Sequence, residues 1–233
     1  MIDVLHLLGF GDGGWGKSLL AATLVTLLLS FSSFTVGILF GGVIATFRVG
    51  KYRILNLFGR SYCTLFRGIP DLLTIYLLYY GGSMLLTSTG KLLGWDGFIG
   101  LPTFATGMLA LAIISGAYLA EIFRGAYLAL DKGQLEAAQA LVLPKWPTLR
   151  FVIMPQIMRL ALPGVSNVWQ LILKDSALIS VIGLVELMRQ AQIDAGSTRE
   201  PFIFYTAAAC LYLVITVLTG FFFKYVENRT SSY

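Results

Sequence analysis

Five ionisable residues interrupt otherwise apolar stretches of this sequence: Arg67, Asp71, Glu121, Lys174 and Asp175. Such groups could neutralise one another, relay protons, or provide counter-charges for a small charged solute. Arg67 and Asp71 are four residues apart, a spacing that brings two side chains together on one face of a helix. Arg67 can also reach Glu121 on a neighbouring helix, and this intramembrane ion pair is our prediction. A purely structural role in holding helices together is the alternative.

Residues Gly11 to Ser18 read GDGGWGKS, which formally matches the phosphate-binding pattern G-x-x-x-x-G-K-S. That loop requires a parallel sheet with flanking helices, whereas a long apolar run follows here. We therefore interpret the segment as a lead-in to the first helix, with Trp15 and Lys17 as anchors at the membrane interface. The chain is not expected to hydrolyse ATP or to be an enzyme.

The composition defines the elements that must position these residues. Hydrophobic residues make up 57% of the 233 positions and charged residues only 12%, about half of what a soluble domain carries. Four uncharged runs of 30, 19, 24 and 23 residues follow Lys17, Asp71, Asp96 and Glu200. A membrane-spanning helix needs roughly 20 such residues, so the chain is predicted to be an all-α integral membrane protein. Its single histidine, His6, argues against a metal site.

Five spans are predicted, at about 19–47, 55–87, 103–128, 157–184 and 202–226. The fourth crosses only if Lys174 and Asp175 face protein or water. With five spans, eleven basic residues fall on one side of the membrane and four on the other. Positive residues favour the cytoplasmic side, which predicts a periplasmic N-terminus and a cytoplasmic C-terminus. The domains are then a lead-in at 1–18, a membrane domain at 19–227 with a cytoplasmic loop at 129–156, and a tail at 228–233.

The cytoplasmic loop contains a short run of good helix formers, Glu136 to Leu141, followed by Pro144 and Pro147. Two interpretations fit this pattern equally. The helix is either a docking element for a partner protein or a solvated connection between two spans.

The loop resembles the EAA motif of permease subunits from binding-protein-dependent ABC importers. That motif reads E-A-A, three residues, Gly, nine residues, Ile, one residue, Leu-Pro. The same frame here is Glu136-Ala137-Ala138, three residues, Val142, nine residues, Val152, one residue, Met154-Pro155. Further strings resemble the Q-type subunits of histidine, octopine and nopaline importers: Arg67-Gly68-Ile69-Pro70-Asp71, Glu121-Ile122-Phe123-Arg124-Gly125 and Ala161-Leu162-Pro163-Gly164.

The resemblance implies a type I ABC importer permease bundle in the bacterial inner membrane. It implies three partners: a cytoplasmic ATP-binding subunit, a second permease subunit and a periplasmic solute-binding protein. The chain itself would hold no cofactor, since the partner binds ATP. Residues implied to couple to the ATPase are Gly133, Gln134, Glu136, Ala137, Ala138, Ala140 and Leu141. An ion-coupled secondary transporter or a channel is the alternative, in which the buried charges would relay protons.

Val142 occupies the glycine position of the motif. A β-branched residue strongly disfavours positive φ, so we expect the loop to bend without a left-handed residue. This departure, together with the Q-type resemblance, predicts a heterodimer with a second, non-identical permease.

The implied solute is a polar, basic amino acid or an opine. Such a solute needs counter-charges for its ionic groups and hydroxyls for orientation. Asp175, Ser176 and Asp71 are the candidates for the substrate path, with a structural role as the alternative for each.

Overall fold

The computed structural model describes residues 7–11, 13–95 and 97–231, and the ordered elements in these ranges are helices. Residues 1–6 of the predicted lead-in, including His6, and residues 232–233 of the tail lie outside them. The helices are α1 Gly16–Val49, α2 Arg53–Gly68, α3 Asp71–Leu92, α4 Thr103–Leu128, α5 Lys132–Ala140, α6 Met154–Asp175, α7 Leu187–Thr198 and α8 Pro201–Ser231. The predicted all-α class is confirmed.

Helices α1 and α4 form the centre of the bundle and pack closely because small residues line their contact. A Cβ atom on Gly41 would stand 2.6 Å from the Cβ of Leu119, and one on Gly37 would stand 2.5 Å from the Oγ of Ser115. Small residues at such contacts let helix backbones approach, which is how membrane helices gain packing energy in the absence of a hydrophobic driving force.

The second predicted span is not one helix. The chain bends by 109° between α2 and α3. Pro70 lies at this break, where it lacks an N–H to continue the helix and restricts Ile69 to an extended backbone, observed at φ −93° and ψ 140°. By length and composition four helical segments could cross a membrane alone, and the bent pair α2–α3 is the fifth candidate.

The fourth span begins earlier than predicted and changes its winding at both ends. A π-helical turn, Thr148–Ile153, precedes α6, and a 3₁₀ helix, Ser176–Ile182, follows it. Pro163 lies inside α6. The change to 3₁₀ winding occurs directly after Asp175, so this residue lies at the junction of two helical geometries.

The N-terminal glycine segment does not form a phosphate cradle. The backbone N–H groups of Gly14, Trp15 and Gly16 donate to the carbonyls of Gly11, Leu7 and Gly9, so these groups already have partners. Trp15 packs edge-on against Phe204 of α8, with ring centroids 6.4 Å apart. The segment therefore joins the start of α1 to α8.

Candidate functional site

The loop between α4 and α6 is held in place by two side-chain contacts at the start of helix α5 and by one buried residue within it. Asp131 caps its start, with its Oδ1 accepting from the N–H of Gly133 at 2.9 Å. Gln156 donates through Nε2 to the side-chain oxygen of Gln134, which ties α5 to the beginning of α6. Ala138 is buried at 3% exposure. The predicted coupling residues Gly133, Gln134 and Ala138 thus fix the loop.

Val142 adopts the left-handed conformation, with φ 55°, so the expectation of a bend without a left-handed residue is wrong. The N–H of Val142 donates to Gln139 at 2.9 Å and that of Leu143 to Ala138 at 3.1 Å. This pair of bonds is the Schellman ending of a helix, which requires a left-handed residue at the position of Val142. The two hydrogen bonds that this conformation allows compensate for the steric cost of a left-handed backbone at a β-branched residue.

An apolar surface is exposed on the loop. Leu141 is 73% exposed, Val142 84% and Trp146 68%, and we call these three residues the loop patch. The predicted coupling residues Glu136, Ala137 and Ala140 are also exposed. Several large apolar side chains exposed within six residues of a polar loop are typical of protein-binding surfaces.

Glu121 is the centre of a cluster of three arginines. Arg124 Nε lies 2.9 Å from Glu121 Oε2, Arg48 bonds to Oε1, and Arg67 Nη1 lies 3.9 Å from Oε1. We call these four residues the arginine cluster. It connects the ends of α1, α2 and α4. In the described part of the chain Arg67 forms no ion pair with Asp71.

Arg48 and Arg124 were not recognised as partners of Glu121 from the sequence. Both lie near the ends of apolar runs, where basic residues normally flank membrane spans and set their orientation. The three-residue spacing of Glu121 and Arg124 on one helix was the available signal.

Asp71 and Asp175 lie within electrostatic range of each other, although 104 positions separate them in the sequence. Helix α3 contacts the 3₁₀ helix that follows α6, and the two side chains interact electrostatically. Tyr118 of α4 lies in range of both carboxylates and of Arg67. Asp71 and Asp175 are partly exposed, and Lys174 is exposed. The arrangement is a half-open acidic site that could hold a cationic group.

Ser176 is fully buried and its hydroxyl donates to the carbonyl of Leu173 at 2.7 Å. It lies beside Tyr212 in a polar network around Glu186. Ser176 therefore has no exposed surface in this conformation, unlike its neighbour Asp175.

Glu186 is a fully buried carboxylate whose two oxygens are both satisfied. It accepts from the N–H groups of Met188 and Arg189 at 2.9 and 2.8 Å, and from the Tyr212 hydroxyl at 3.0 Å. The next N–H, of Leu187, donates to Thr26 at 3.1 Å. Burial raises the pKa of Glu186, and its donors oppose that shift. This residue was not singled out from the sequence because it lies between spans.

Comparison with known proteins assigns the chain. Residues 34–232 match the family described as the binding-protein-dependent transport system inner membrane component. The chain belongs to this family. It is thus a multi-pass permease component of the bacterial inner membrane, and the similarity supports an importer permease and not an ion-coupled transporter or channel.

Curated relatives agree along nearly the whole chain. The octopine transport system permease protein OccQ of Rhizobium meliloti is 52% identical, covering 97% of this chain and 95% of the relative. The nopaline permease NocQ of Agrobacterium fabrum is 43% identical, with 93% and 92% covered. The histidine/lysine/arginine/ornithine permease HisQ of Escherichia coli is 36% identical, with 94% and 95% covered.

Solved structures of ABC transporters have the same fold. A crystal structure of an amino acid ABC transporter with histidines superposes with a TM-score of 0.81 at 33% identity, covering 98% of this chain and 99% of that one. The inward-facing MetNI methionine transporter gives a TM-score of 0.67 at 15% identity, with 92% and 94% covered, a likeness of fold.

Proposed function

We propose that this permease component carries a basic amino acid or an opine across the inner membrane, driven by a separate ATPase that docks on the loop patch. The exposure of Leu141, Val142 and Trp146 on a loop fixed by Gln134 and Gln156 is the observation that carries the proposal. The ATPase would bind and hydrolyse ATP, and the chain itself would need no cofactor. Its role is to transmit movement of the loop to α4 and α6.

Two features of the chain support a cationic solute. Asp71 and Asp175 are partly exposed and interact electrostatically with each other and with Tyr118, and their carboxylates could bind an ammonium or guanidinium group. The named solutes of the relatives are octopine, nopaline and a set of amino acids that includes lysine and arginine. We assign Asp71 and Asp175 to the substrate path. Ser176 is buried, and its role would be to support its neighbour Asp175.

The proposed assembly includes a second permease subunit and a solute-binding protein. The Q-type resemblance favours a non-identical partner. The missing glycine gives no further support to a non-identical partner, because Val142 adopts the left-handed conformation and the loop bends without glycine. In the proposed orientation the 129–156 loop faces the cytoplasm and the N-terminus the periplasm. The domain limits of 1–18, 19–227 and 228–233 are part of the same proposal. A homodimer that transports at full rate would exclude the heterodimer.

Crosslinking tests the docking surface. A cysteine replaces Ala140, which is exposed on α5, in a background with Cys63→Ala and Cys210→Ser. The matched control carries the cysteine at Ser197, which is exposed on α7. With the full transporter in vesicles, we expect a bifunctional maleimide to join the ATPase to position 140 and not to position 197. The reverse pattern would place the loop outside the cell and refute the proposal.

Uptake in the same vesicles tests the energy source. Labelled arginine, histidine and octopine are offered in competition, with either ATP inside or an imposed proton gradient. We expect uptake with ATP alone. Uptake that follows the proton gradient without ATP would favour the ion-coupled alternative.

A further inference from the structure

Helix α2 lies at a sharp angle to the helix that follows it, because the chain bends by 109° between α2 and α3. The second half of α2 packs on α4: the Tyr62 hydroxyl donates to the carbonyl of Ile113 at 2.6 Å, and Arg67 lies 3.9 Å from Glu121. Cys63 belongs to the same buried cluster as Ala120. With α3 crossing the membrane, the angle between the two helices places α2 close to the membrane plane.

Three different faces result from the sequence of α2. Gly59 and Cys63 are buried against α1 and α4. Ile54, Leu57, Phe58 and Leu65 are exposed by 82%, 64%, 56% and 51%. The third face carries the arginines 53, 60 and 67. Their seven-residue spacing is close to two helical turns, so they form one stripe.

The arginine stripe and the apolar face are both exposed. At about 100° per residue the arginine stripe and the apolar face point roughly 120° apart around the helix axis, and the buried face occupies the remaining sector. A helix on the surface of a membrane has this distribution: one side on protein, one in the acyl region and one basic side among the headgroups.

The charge of α2 is unbalanced within its own sequence. The helix RILNLFGRSYCTLFRG contains no acidic residue, and Lys51 precedes it. Arg67 has Glu121 at 3.9 Å, but that carboxylate already takes closer contacts from Arg48 and Arg124. The positive stripe therefore favours an anionic partner.

By length alone α3 can cross the membrane without α2, whereas length and composition together qualify the bent pair α2–α3 as the fifth candidate span. Helix α3, from Asp71 to Leu92, has 22 residues. At about 1.5 Å per residue it extends for about 33 Å, and the hydrocarbon core of a bilayer is about 30 Å thick. The residues before Pro70 are therefore free to lie in the plane of the interface.

We propose that α2 is an interfacial helix that binds anionic phospholipid headgroups through Arg53, Arg60 and Arg67. Guanidinium groups form paired hydrogen bonds with phosphate oxygens, and the apolar face of Ile54, Phe58 and Leu65 enters the adjacent acyl region. Arg67 belongs to both the stripe and the arginine cluster, so bound lipid would contact the ends of α1 and α4 through it. This inference does not depend on the ATPase or the transported solute.

Lipid binding to the full chain in detergent tests the proposal. Native mass spectrometry compares the apparent affinity for phosphatidylglycerol with that for phosphatidylcholine. The variant is Arg53→Gln with Arg60→Gln, which leaves the arginine cluster intact. The control, Lys91→Gln with Arg189→Gln, removes the same charge from exposed positions outside α2. We expect the variant to lose about 10- to 30-fold in phosphatidylglycerol affinity, since each basic residue contributes about 1 kcal/mol at an anionic surface. Equal losses in variant and control would overturn the proposal.

A second measurement distinguishes lipid from a protein partner on the same face. A nitroxide label at position 54, in the assembled transporter in liposomes with both native cysteines replaced, reports access to oxygen and to a water-soluble nickel chelate. We expect the label to be accessible to oxygen and protected from the nickel chelate, at a depth in the acyl region just below the headgroups, and access to the chelate instead would overturn the proposal. A label shielded from both reagents would show that another subunit covers α2, and would overturn the proposal.

Discussion

The N–H of Leu143 donates to the carbonyl of Ala138 at 3.1 Å, and this bond closes helix α5 around a valine with φ 55°. A left-handed conformation costs a residue other than glycine roughly 1–2 kcal/mol. The loop that carries the EAA-like segment is therefore strained at its C-terminal end.

Replacing Val142 with glycine is expected to relieve this strain. Part of the gain is offset because glycine gains more freedom in the unfolded chain, which leaves about 1 kcal/mol. Hydrogen exchange at Leu143, whose N–H closes the helix, should slow about fivefold. Val142→Ala keeps a Cβ atom in the left-handed region and should slow it less. Faster exchange in the glycine variant would contradict the assigned geometry.

Glu121→Gln is expected to destabilise the protein by about 3 kcal/mol. The side chains of Glu121 and Arg48 are only 20% and 11% exposed, and breaking a buried pair leaves an uncompensated charge. Arg124→Gln should cost under about 1 kcal/mol, because its side chain is 32% exposed and better screened. Thermal unfolding in detergent measures both. Glu227→Gln, at an exposed position of α8, is the control and should leave the midpoint unchanged. Equal midpoints for Glu121→Gln and the control would show that the cluster adds no stability.

Adjacent glycines of α1 should respond in opposite directions to alanine. On Gly41 a Cβ atom would lie 2.6 Å from Leu119 Cβ and 3.2 Å from the backbone nitrogen of Ala120, whereas on Gly42 it would meet nothing within 4 Å. Overpacking typically costs 1–3 kcal/mol, as an order of magnitude. At an open helical position alanine is better than glycine by about 1 kcal/mol. Unfolding midpoints of the two variants should therefore move down for Gly41→Ala and up for Gly42→Ala. The same shift in both would refute the close contact of α1 and α4.

The sequence was sufficient for the helical class and the runs that became α1, α4 and α8, because an uncharged run of 20 or more residues has few alternatives. Pro70 was visible, but the angle of the break depends on what α2 packs against. The sequence could not show which arginine lies closest to Glu121, because Arg48 is 73 positions away and only the packing of α1 on α4 brings it near. Val142 was misjudged because local propensity was weighed without the two hydrogen bonds that its left-handed backbone completes.

Two buried acids, Glu186 at the N-cap of α7 and Asp194 within the helix, should give opposite results when neutralised. Both Glu186 and Asp194 lie outside the spans and are fully buried. Glu186 has donors on both oxygens, whereas in the described part of the chain Asp194 Oδ2 has none and Oδ1 accepts from Gln190 at 2.6 Å. We expect Asp194→Asn to stabilise by about 1 kcal/mol, because it removes an incompletely paired charge. Glu186→Gln should destabilise by about 1–3 kcal/mol, because one helix-capping bond is lost.

The pH dependence of the free energy of unfolding tests whether these two buried acids are protonated in the folded protein. Burial raises the pKa of Asp194 above its ordinary 3.8 and that of Glu186 above 4.5. The folded protein then binds a proton that the unfolded chain has lost, so the free energy of unfolding falls as pH rises from those ordinary values to the raised ones. Thermal unfolding from pH 4 to pH 8 should show this fall in the parent. Asp194→Asn should make the fall shallower. An unchanged slope would contradict a raised pKa at Asp194.

Neutralising Asp175 should weaken the binding of a cationic solute to the membrane site. A hydrogen bond to a charged group contributes about 1.5–3 kcal/mol, so Asp175→Asn should lower arginine affinity by roughly 10- to 100-fold. Asp71→Asn should act in the same direction, since the two carboxylates interact. The measurement is binding of labelled arginine to the purified transporter without its solute-binding protein, because that protein would otherwise dominate the apparent affinity. Glu136→Gln removes an exposed loop carboxylate and is the matched control. Arginine affinity that is unchanged in both aspartate variants would remove the pair from the substrate path.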